Sequence, residues 1–286
     1  ACAVSPVAPD AIVNRPVTDL TSALQGNVAG LNFVTDAAPD GVGGETGAEI
    51  KFNIRGVGSI NGNGGEPYVL VDGVEQSLQN VNPNDIETIS VLKDASAAAV
   101  YGARAAYGVV LVTTKSGRQE KTRVSYRGTV GFSSPINMPE MMNSLEFAKY
   151  VNERNDNDGV NHKFSDALIE KMEGFMKNPY SAEFPGIGPN QNGTDWASSM
   201  DAVYANTDWF DYYFKDTAIR HSHNLSVTEG SEKFNYYVGL GYTYQDGLLD
   251  KVDDNLSKYN VNTKFQIIAN KWLKFNFNNN ITLSIP

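Results

Sequence analysis

The chain has 286 residues, of which 41% are hydrophobic and 20% charged, so it is long enough for one large or two small domains. Its 33 acidic and 23 basic residues give a net charge of -10, which argues against nucleic-acid binding. Cys2 is the only cysteine, which excludes an internal disulfide framework and a thiolate metal cluster. No run of 18 apolar residues occurs, so only a closed β-barrel could take this chain across a membrane.

The first 118 residues are predicted to form a small domain of short helices and strands. A helical turn reaching Leu24 is expected to stop at Gly26, because glycine readily adopts the positive φ of a helix C-terminus. Apolar and alternating residues predict strands at 50–54, 68–71, 86–92 and 109–112. Asp72 and Gly73, which follow the second of these strands, are typical of a tight hairpin.

From residue 119 onward the sequence alternates with the period of two that is typical of β-strands. Five segments show the alternation, at 123–132, 224–228, 234–245, 259–267 and 273–285. In the third segment Tyr236, Val238 and Leu240 share an apolar face, opposite Gly239 and Thr243. A soluble β-sandwich also alternates, but the strong segments match the about 9 to 11 residues of a tilted membrane strand. Short turns also alternate with longer connections at 133–220 and 246–257, as in outer-membrane barrels.

The long connection at 133–220 is predicted to contain helices of its own. Ser144 and Ser165 can cap helices over 145–155 and 167–172, and Gly174 is expected to stop the second one. Five strands are too few to close around a domain of more than about a hundred residues. Since an open sheet edge is unfavourable in a bilayer, the chain is expected to be the N-terminal piece of a longer protein.

Five segments of the first part together resemble the plug domain of SusC/RagA-type TonB-dependent outer-membrane transporters. They are 23–31, 54–62, 67–74, 82–106 and 108–115, of which 82–106 is the most specific. Further along, 206–209, 224–227 and 271–274 are similar to the family's early barrel strands. No clear TonB box precedes Val17, so TonB would engage an N-terminal segment that is not evident here. Tyr107 also departs from the Asn or Gly expected before Gly108.

The resemblance implies an α+β plug domain at 1–118, followed at 119–286 by antiparallel strands of an incomplete transmembrane β-barrel with a long extracellular loop. It implies import of oligosaccharides or peptides across the cell outer membrane, with the plug inside the barrel on the periplasmic side. The implied partners are a SusD-like surface lipoprotein, TonB and outer-membrane lipid. Enzymatic activity and cofactors are not expected. The alternative is a secreted β-rich glycan-binding module without transport activity, with Trp196, Trp209 and the tyrosine-rich strands as sugar platforms.

The glycine-rich turn at 60–65 is the candidate ligand site, at the apex of the plug. Asn61 and Asn63 offer amides to sugar hydroxyls or peptide groups, and Gly64 allows a ligand to approach the backbone closely. Any tight loop also requires such glycines, so a purely structural turn is the alternative. Arg55 either covers the domain surface with its stem or pairs with a carboxylate of the barrel wall and locks the plug.

Other chemistry is poorly supported by the residues. Gly56 and Gly58 lack the Lys-Ser/Thr partner of a phosphate loop, and a strand follows where such a loop needs a helix. The segment 156–159 lacks the ligand set of a calcium loop. His221 and His223 would share one face of a strand, but no third ligand is near them, so no metal site is predicted.

Overall fold

A computed structural model gives the structure of the chain and describes residues 4–7, 12, 20–28, 31–35, 46–47, 50–54, 66–93, 99–136, 138–187 and 203–285. The chain forms two compact units. The first comprises Ala1–Ser134, Thr217–Leu248 and Val252–Pro286, and the second comprises Pro135–Asp216 and Leu249–Lys251. Among the described residues, no helix combines the length and the apolar character needed to span a membrane.

The first part of the chain is built on a five-stranded sheet, which we call the mixed sheet. The helix and the strands of this part of the chain are β1 (Val4–Val7), α1 (Leu20–Leu24), β2 (Leu31–Thr35), β3 (Ile50–Ile54), β4 (Tyr68–Val71), β5 (Val74–Glu75), β6 (Ile86–Leu92) and β7 (Val109–Thr114). The strand order of the mixed sheet is β1-β6-β7-β4-β5, and β2 pairs with β3 separately. Within the mixed sheet, β4 and β7 are parallel and the other pairs are antiparallel. Leu20 and Leu24 of α1 join Ile86, Ile89 and Val110 in the core.

The local signals of this part are confirmed. Asp72 and Gly73 join β4 to β5 with φ angles of 50° and 86°, which an Asp-Gly hairpin turn adopts readily. Gly26 follows α1 with a φ of 77°, as expected of a glycine that ends a helix. The four predicted strands are present, and β7 continues two residues beyond the predicted end, to Thr114.

Five longer strands form a second sheet, which we call the long-strand sheet. They are β8 (Arg123–Ser133), β9 (Ala218–Gly230), β10 (Phe234–Asp246), β11 (Asn255–Asn270) and β12 (Leu273–Ile285). They pair in chain order and always antiparallel. Their lengths of 11 to 16 residues exceed the about five or six of a typical strand. The five predicted strands are thus all present.

The two faces of the long-strand sheet differ as the alternation predicts. Asn235 and Gly239 of β10 are buried, whereas Leu240 is 45% exposed. On β12 the side chains of Phe275 and Phe277 are 55% and 56% exposed. Along β10 and β11 the polar face is therefore covered by the chain itself, whereas the polar residues of β8 and β12 are mostly exposed. The apolar face of the sheet is open.

In its described residues, the second unit contains three helices, α2 (Ser144–Asn157), α3 (Asp166–Lys177) and α4 (Trp209–Tyr213). Asn143 caps α2 in place of the predicted Ser144. Its Oδ1 accepts a hydrogen bond from Glu146 N (2.8 Å), and its own N donates to Glu146 Oε2 (3.1 Å). Ser165 caps α3 as predicted, with its Oγ 3.3 Å from Leu168 N.

The predicted stop of α3 at Gly174 is wrong, because the helix continues to Lys177. Leu168, Met172 and Phe175 are buried at helical spacing, so the apolar stripe continues past the glycine. The ring of Phe184 lies so close to Gly174 that a Cβ there would clash with it. The glycine therefore serves packing rather than termination.

Candidate functional site

The central part of the polar face of the long-strand sheet is buried against the described part of residues 66–118. The buried polar residues on this face are Asn224, Asn235, Lys258, Asn260, Asn262 and Lys264. Buried amides and ammonium groups require hydrogen-bond partners, because their desolvation is otherwise unfavourable. Most of these partners come from the turn at Asp72, the segment 79–85 and Thr114.

An ion pair joins the hairpin turn of the mixed sheet to β11. Lys264 Nζ donates to Asp72 Oδ1 over 2.7 Å, and the two side chains are only 11% and 16% exposed. Lys264 Nζ also donates to Thr114 O (2.7 Å), while Thr114 donates to Asp72 through its N (3.0 Å) and Oγ1 (2.7 Å). Both charges, those of Lys264 and Asp72, therefore have hydrogen-bond partners, as a buried ion pair requires.

Asp85 meets β10 at a point where that strand has no side chain. Tyr237 Oη donates to Asp85 Oδ1 over 2.5 Å. A Cβ on Gly239 would lie 2.5 Å from the same carboxylate oxygen, closer than real Cβ contacts allow. Glycine at 239 therefore creates the space that the Asp85 carboxylate occupies.

Asn82 makes a second contact of this kind, one turn before Asp85. Its Nδ2 donates to Asn224 Oδ1 on β9 (2.7 Å), and a Cβ on Gly241 would clash with that Nδ2. Asn82 Oδ1 accepts from Asn84 N (3.0 Å), which caps the short 3-10 turn Pro83–Asp85. The cap fixes the backbone that presents Asp85 to the long-strand sheet.

A third group of contacts ends on backbone carbonyls. Lys258 Nζ donates to Gln79 O (3.0 Å), and Asn260 Nδ2 and Thr282 Oγ1 donate to Asn80 O (3.4 and 2.7 Å). These contacts continue the row of polar contacts along β11 and add one from β12.

Comparison with known proteins shows which proteins this chain is similar to. Residues 1–109 match the family model of the TonB-dependent Receptor Plug Domain. The TonB-dependent receptor SusC of Bacteroides thetaiotaomicron is 30% identical over 297 residues, which cover 94% of this chain and 25% of that receptor. A TonB-dependent receptor of Formosa agariphila is 32% identical over 285 residues, covering 96% of this chain and 24% of that receptor. The solved structure of the RagAB peptide transporter aligns with a TM-score of 0.76 at 28% identity, over 99% of this chain and 30% of that chain.

The chain carries the plug domain of a SusC/RagA-type TonB-dependent receptor. It spans about a quarter of the length of the curated relatives it matches. The predicted fold class, a plug followed by antiparallel strands resembling the start of the receptor barrel, is confirmed. The contacts described above therefore join the plug part of the chain to strands that resemble the start of the receptor barrel. We call the described part of residues 1–118 the plug and the long-strand sheet the wall.

Several neighbouring groups affect the pKa of the Asp85 carboxyl in the plug. Burial raises the pKa of its carboxyl above the ordinary 3.8, although the hydrogen bond from Tyr237 and the nearby Lys115, Asn262 and Lys264 act in the opposite direction. Burial likewise lowers the pKa of Lys115, which Asp85 partly offsets. Burial therefore disfavours the ionised form of the Asp85 carboxyl.

We expect Asp85→Asn to remove a pH-dependent component of stability. Because the folded-state pKa is raised, Asp85 contributes most below pH 3.8, and this contribution is lost as the pH rises through the folded value. Unfolding of the chain in detergent micelles should be followed from about pH 4 to about pH 7. Stability of the wild type should fall with rising pH relative to Asp85→Asn. The exposed Asp211→Asn is the control, and parallel profiles for wild type and Asp85→Asn would contradict the assignment.

The candidate residues Asn61, Asn63, Gly64 and Arg55 lie outside the residues that the structure describes, and their roles remain predictions. The two histidines of β9 do lie together, with ring centroids 5.3 Å apart. His223 Nδ1 lies 2.7 Å from the hydroxyl of Tyr126, and within the described ranges no three metal-ligating side chains form a cluster.

Proposed function

We propose that this chain forms the plug and first wall strands of an importer driven by TonB. A ligand is captured on the outside, TonB pulls on the N-terminal side of the plug, and a path opens beside the wall. The observation that carries the proposal is the plug match over residues 1–109, together with the hydrogen bonds from Tyr237 and Lys264 of the wall to the plug. These are polar contacts that water can replace when the plug moves.

We further propose that 1–118 is the plug and that 119–286 supplies wall strands, with 133–220 as an extracellular loop. The location is the outer membrane, with the plug inside the barrel on the periplasmic side. Support comes from the open face of the long-strand sheet, whose exposed apolar residues include Val124, Tyr126, Val130, Phe132, Ile281 and Leu283. In a secreted glycan-binding module this face would be in water, where an extended apolar surface is unfavourable. Lipid contact accounts for it more simply.

The proposed ligand is an oligosaccharide or a peptide, captured together with a SusD-like surface lipoprotein. Support for a peptide comes from the 28% identity with RagAB, which is a peptide transporter. Support for an oligosaccharide comes from the segments 54–62 and 82–106, whose resemblance to SusC/RagA-type transporters implies such a ligand. No catalytic step is part of the proposal.

The proposal is tested with the full-length receptor in a Gram-negative host that lacks its own receptor for the ligand. Uptake of labelled oligosaccharides and labelled peptides is measured in the presence and absence of TonB. Uptake should need both the receptor and TonB. Uptake that persists without TonB would exclude the mechanism, and recovery of the protein from the medium would favour the secreted module.

We expect the double substitution Asn61→Ala and Asn63→Ala to weaken ligand binding by about 1 to 3 kcal/mol, because two amides would lose ligand partners. Gly64 in the same turn would keep the backbone open to the ligand. Glu66, which follows this turn in the chain, lines a cavity of about 660 Å³ together with Tyr68. Ligand affinity is measured by titration calorimetry on the intact receptor. The unfolding midpoint should stay unchanged, and a large stability loss would show that the amides hold the plug together instead.

A further inference from the structure

The second unit carries an open cavity beside the exposed Trp209. Its volume is about 470 Å³, within the range of small-molecule sites. Phe147 and Trp209 supply aromatic surface to its lining, and Asn143 and Asn206 supply amides. The cavity is separate from the plug contacts, because all the residues that line it belong to the second unit.

Trp209 presents its indole to solvent in a fixed orientation. The side chain is 61% exposed, yet it stacks on Tyr213 with ring centroids 5.8 Å apart and an angle of 21° between the planes. Tyr212 meets the indole edge-on at 6.0 Å, and Asp208 caps the short helix below it. Packing of this kind limits the rotation of a large exposed aromatic ring. The result is a flat apolar platform beside the cavity.

Polar groups of the lining surround this platform. Asn206 Oδ1 accepts from Ser144 N (2.8 Å), and Asn143 Oδ1 accepts from Glu146 N (2.8 Å). These bonds fix both amide planes and leave the Nδ2 groups as donors for a ligand.

The charge of the lining restricts the ligand. Among the described residues that line the cavity, Glu140 is the only ionisable side chain. Since no Lys or Arg is present there, an anionic sugar or a peptide carboxylate would find no charge partner. A neutral sugar ring has an apolar face for the indole and hydroxyls at its edge for the amides and the carboxylate.

We infer that this cavity is a binding subsite for one pyranose ring of a neutral oligosaccharide. The inference deepens the proposed function, because it assigns the sugar class to the loop at 133–220. It rests on the proposed function in one respect only, namely that the loop at 133–220 faces the outside of the cell. The subsite would bind sugar whether or not the plug moves.

The test uses the full chain in detergent micelles and three probes, maltohexaose, cellohexaose and xylohexaose. Binding is measured by titration calorimetry and by the change in tryptophan emission. At least one probe should bind saturably, and Trp209→Ala should weaken it at least about tenfold, the loss expected when a stacking platform is removed. Trp272→Ala, which removes an exposed indole of the first unit, should leave the affinity within about twofold.

Trp209→Phe extends the test. Trp209→Phe should bind with intermediate affinity. The inference is overturned if none of the three probes binds, if Trp209→Ala and Trp272→Ala behave alike, or if hexaalanine binds at Trp209 and the sugars do not. Since transport is not measured, any of these results leaves the import proposal standing.

Discussion

Replacing Lys264 by methionine should destabilise the contact between the plug and the wall by about 3 kcal/mol. The substitution keeps much of the side-chain volume but leaves the Asp72 carboxylate buried without its counter-ion. It also removes the donor to Thr114 O. Unfolding of the chain in detergent micelles would measure the loss. Hydrogen exchange at Thr114 N, which donates to Asp72 Oδ1, would report loosening at the site itself.

Two further variants make this result specific. Lys274→Met makes the same change at an exposed position of β12 and should alter stability by less than about 0.5 kcal/mol. Adding Asp72→Asn to Lys264→Met should recover part of the loss, since the buried charge is removed and asparagine tolerates the positive φ at position 72. Equal effects of Lys264→Met and Lys274→Met would show that the ion pair does not hold the plug.

Gly239→Ala should destabilise the chain by about 1 to 3 kcal/mol, the usual effect of forcing a methyl group into a filled site. The new Cβ would lie 2.5 Å from Asp85 Oδ1 and 3.0 Å from the hydroxyl of Tyr237. Either the plug segment that carries Asp85 must move away from β10, or the strand must bend. Chemical unfolding measures the loss, and proteolysis of the 79–85 segment reports displacement of the plug.

Gly131→Ala on β8 is the matched control. Its Cβ would make ordinary contact with Arg220 at 3.5 Å, so the variant should be neutral or slightly more stable. The loss at Gly239 should shrink when Asp85→Ala is also present, because the oxygen that the methyl group meets has gone. Additive effects of Gly239→Ala and Asp85→Ala would refute the proposed steric contact.

Much of the fold could be predicted from local patterns. The period of two located the five long strands, and Asp72-Gly73 located the hairpin, because both signals act between near neighbours in sequence. The predicted helix end at Gly174 was wrong because it depends on contacts with residues outside the local pattern. Whether a glycine ends a helix depends on what packs beyond it, and here the buried Phe175 continues the stripe while Phe184 covers the glycine.

The contacts of the plug with the wall could not be predicted as pairs. Lys264 and Asp72 are 192 residues apart, and only the way the long-strand sheet meets the plug brings them together. A partial signal is present in the sequence, because the alternation over 259–267 puts Lys264 on the face opposite Val261 and Phe265. A charged residue on the covered face of a sheet needs a partner there. The contact between Asp85 and Tyr237 is similarly remote in sequence, since the two residues are 152 positions apart.

Several side chains of the wall donate hydrogen bonds to backbone carbonyl oxygens of the plug, those of Gln79, Asn80 and Thr114. Every amino acid has a carbonyl group, so these three positions of the plug can change side chain over evolution without losing the bonds. The donors on the wall, by contrast, have to keep their chemistry. Sequence drift among receptors of this type should therefore be freer at the plug positions 79 and 80 than at Lys258, where the donating ammonium is the side chain itself.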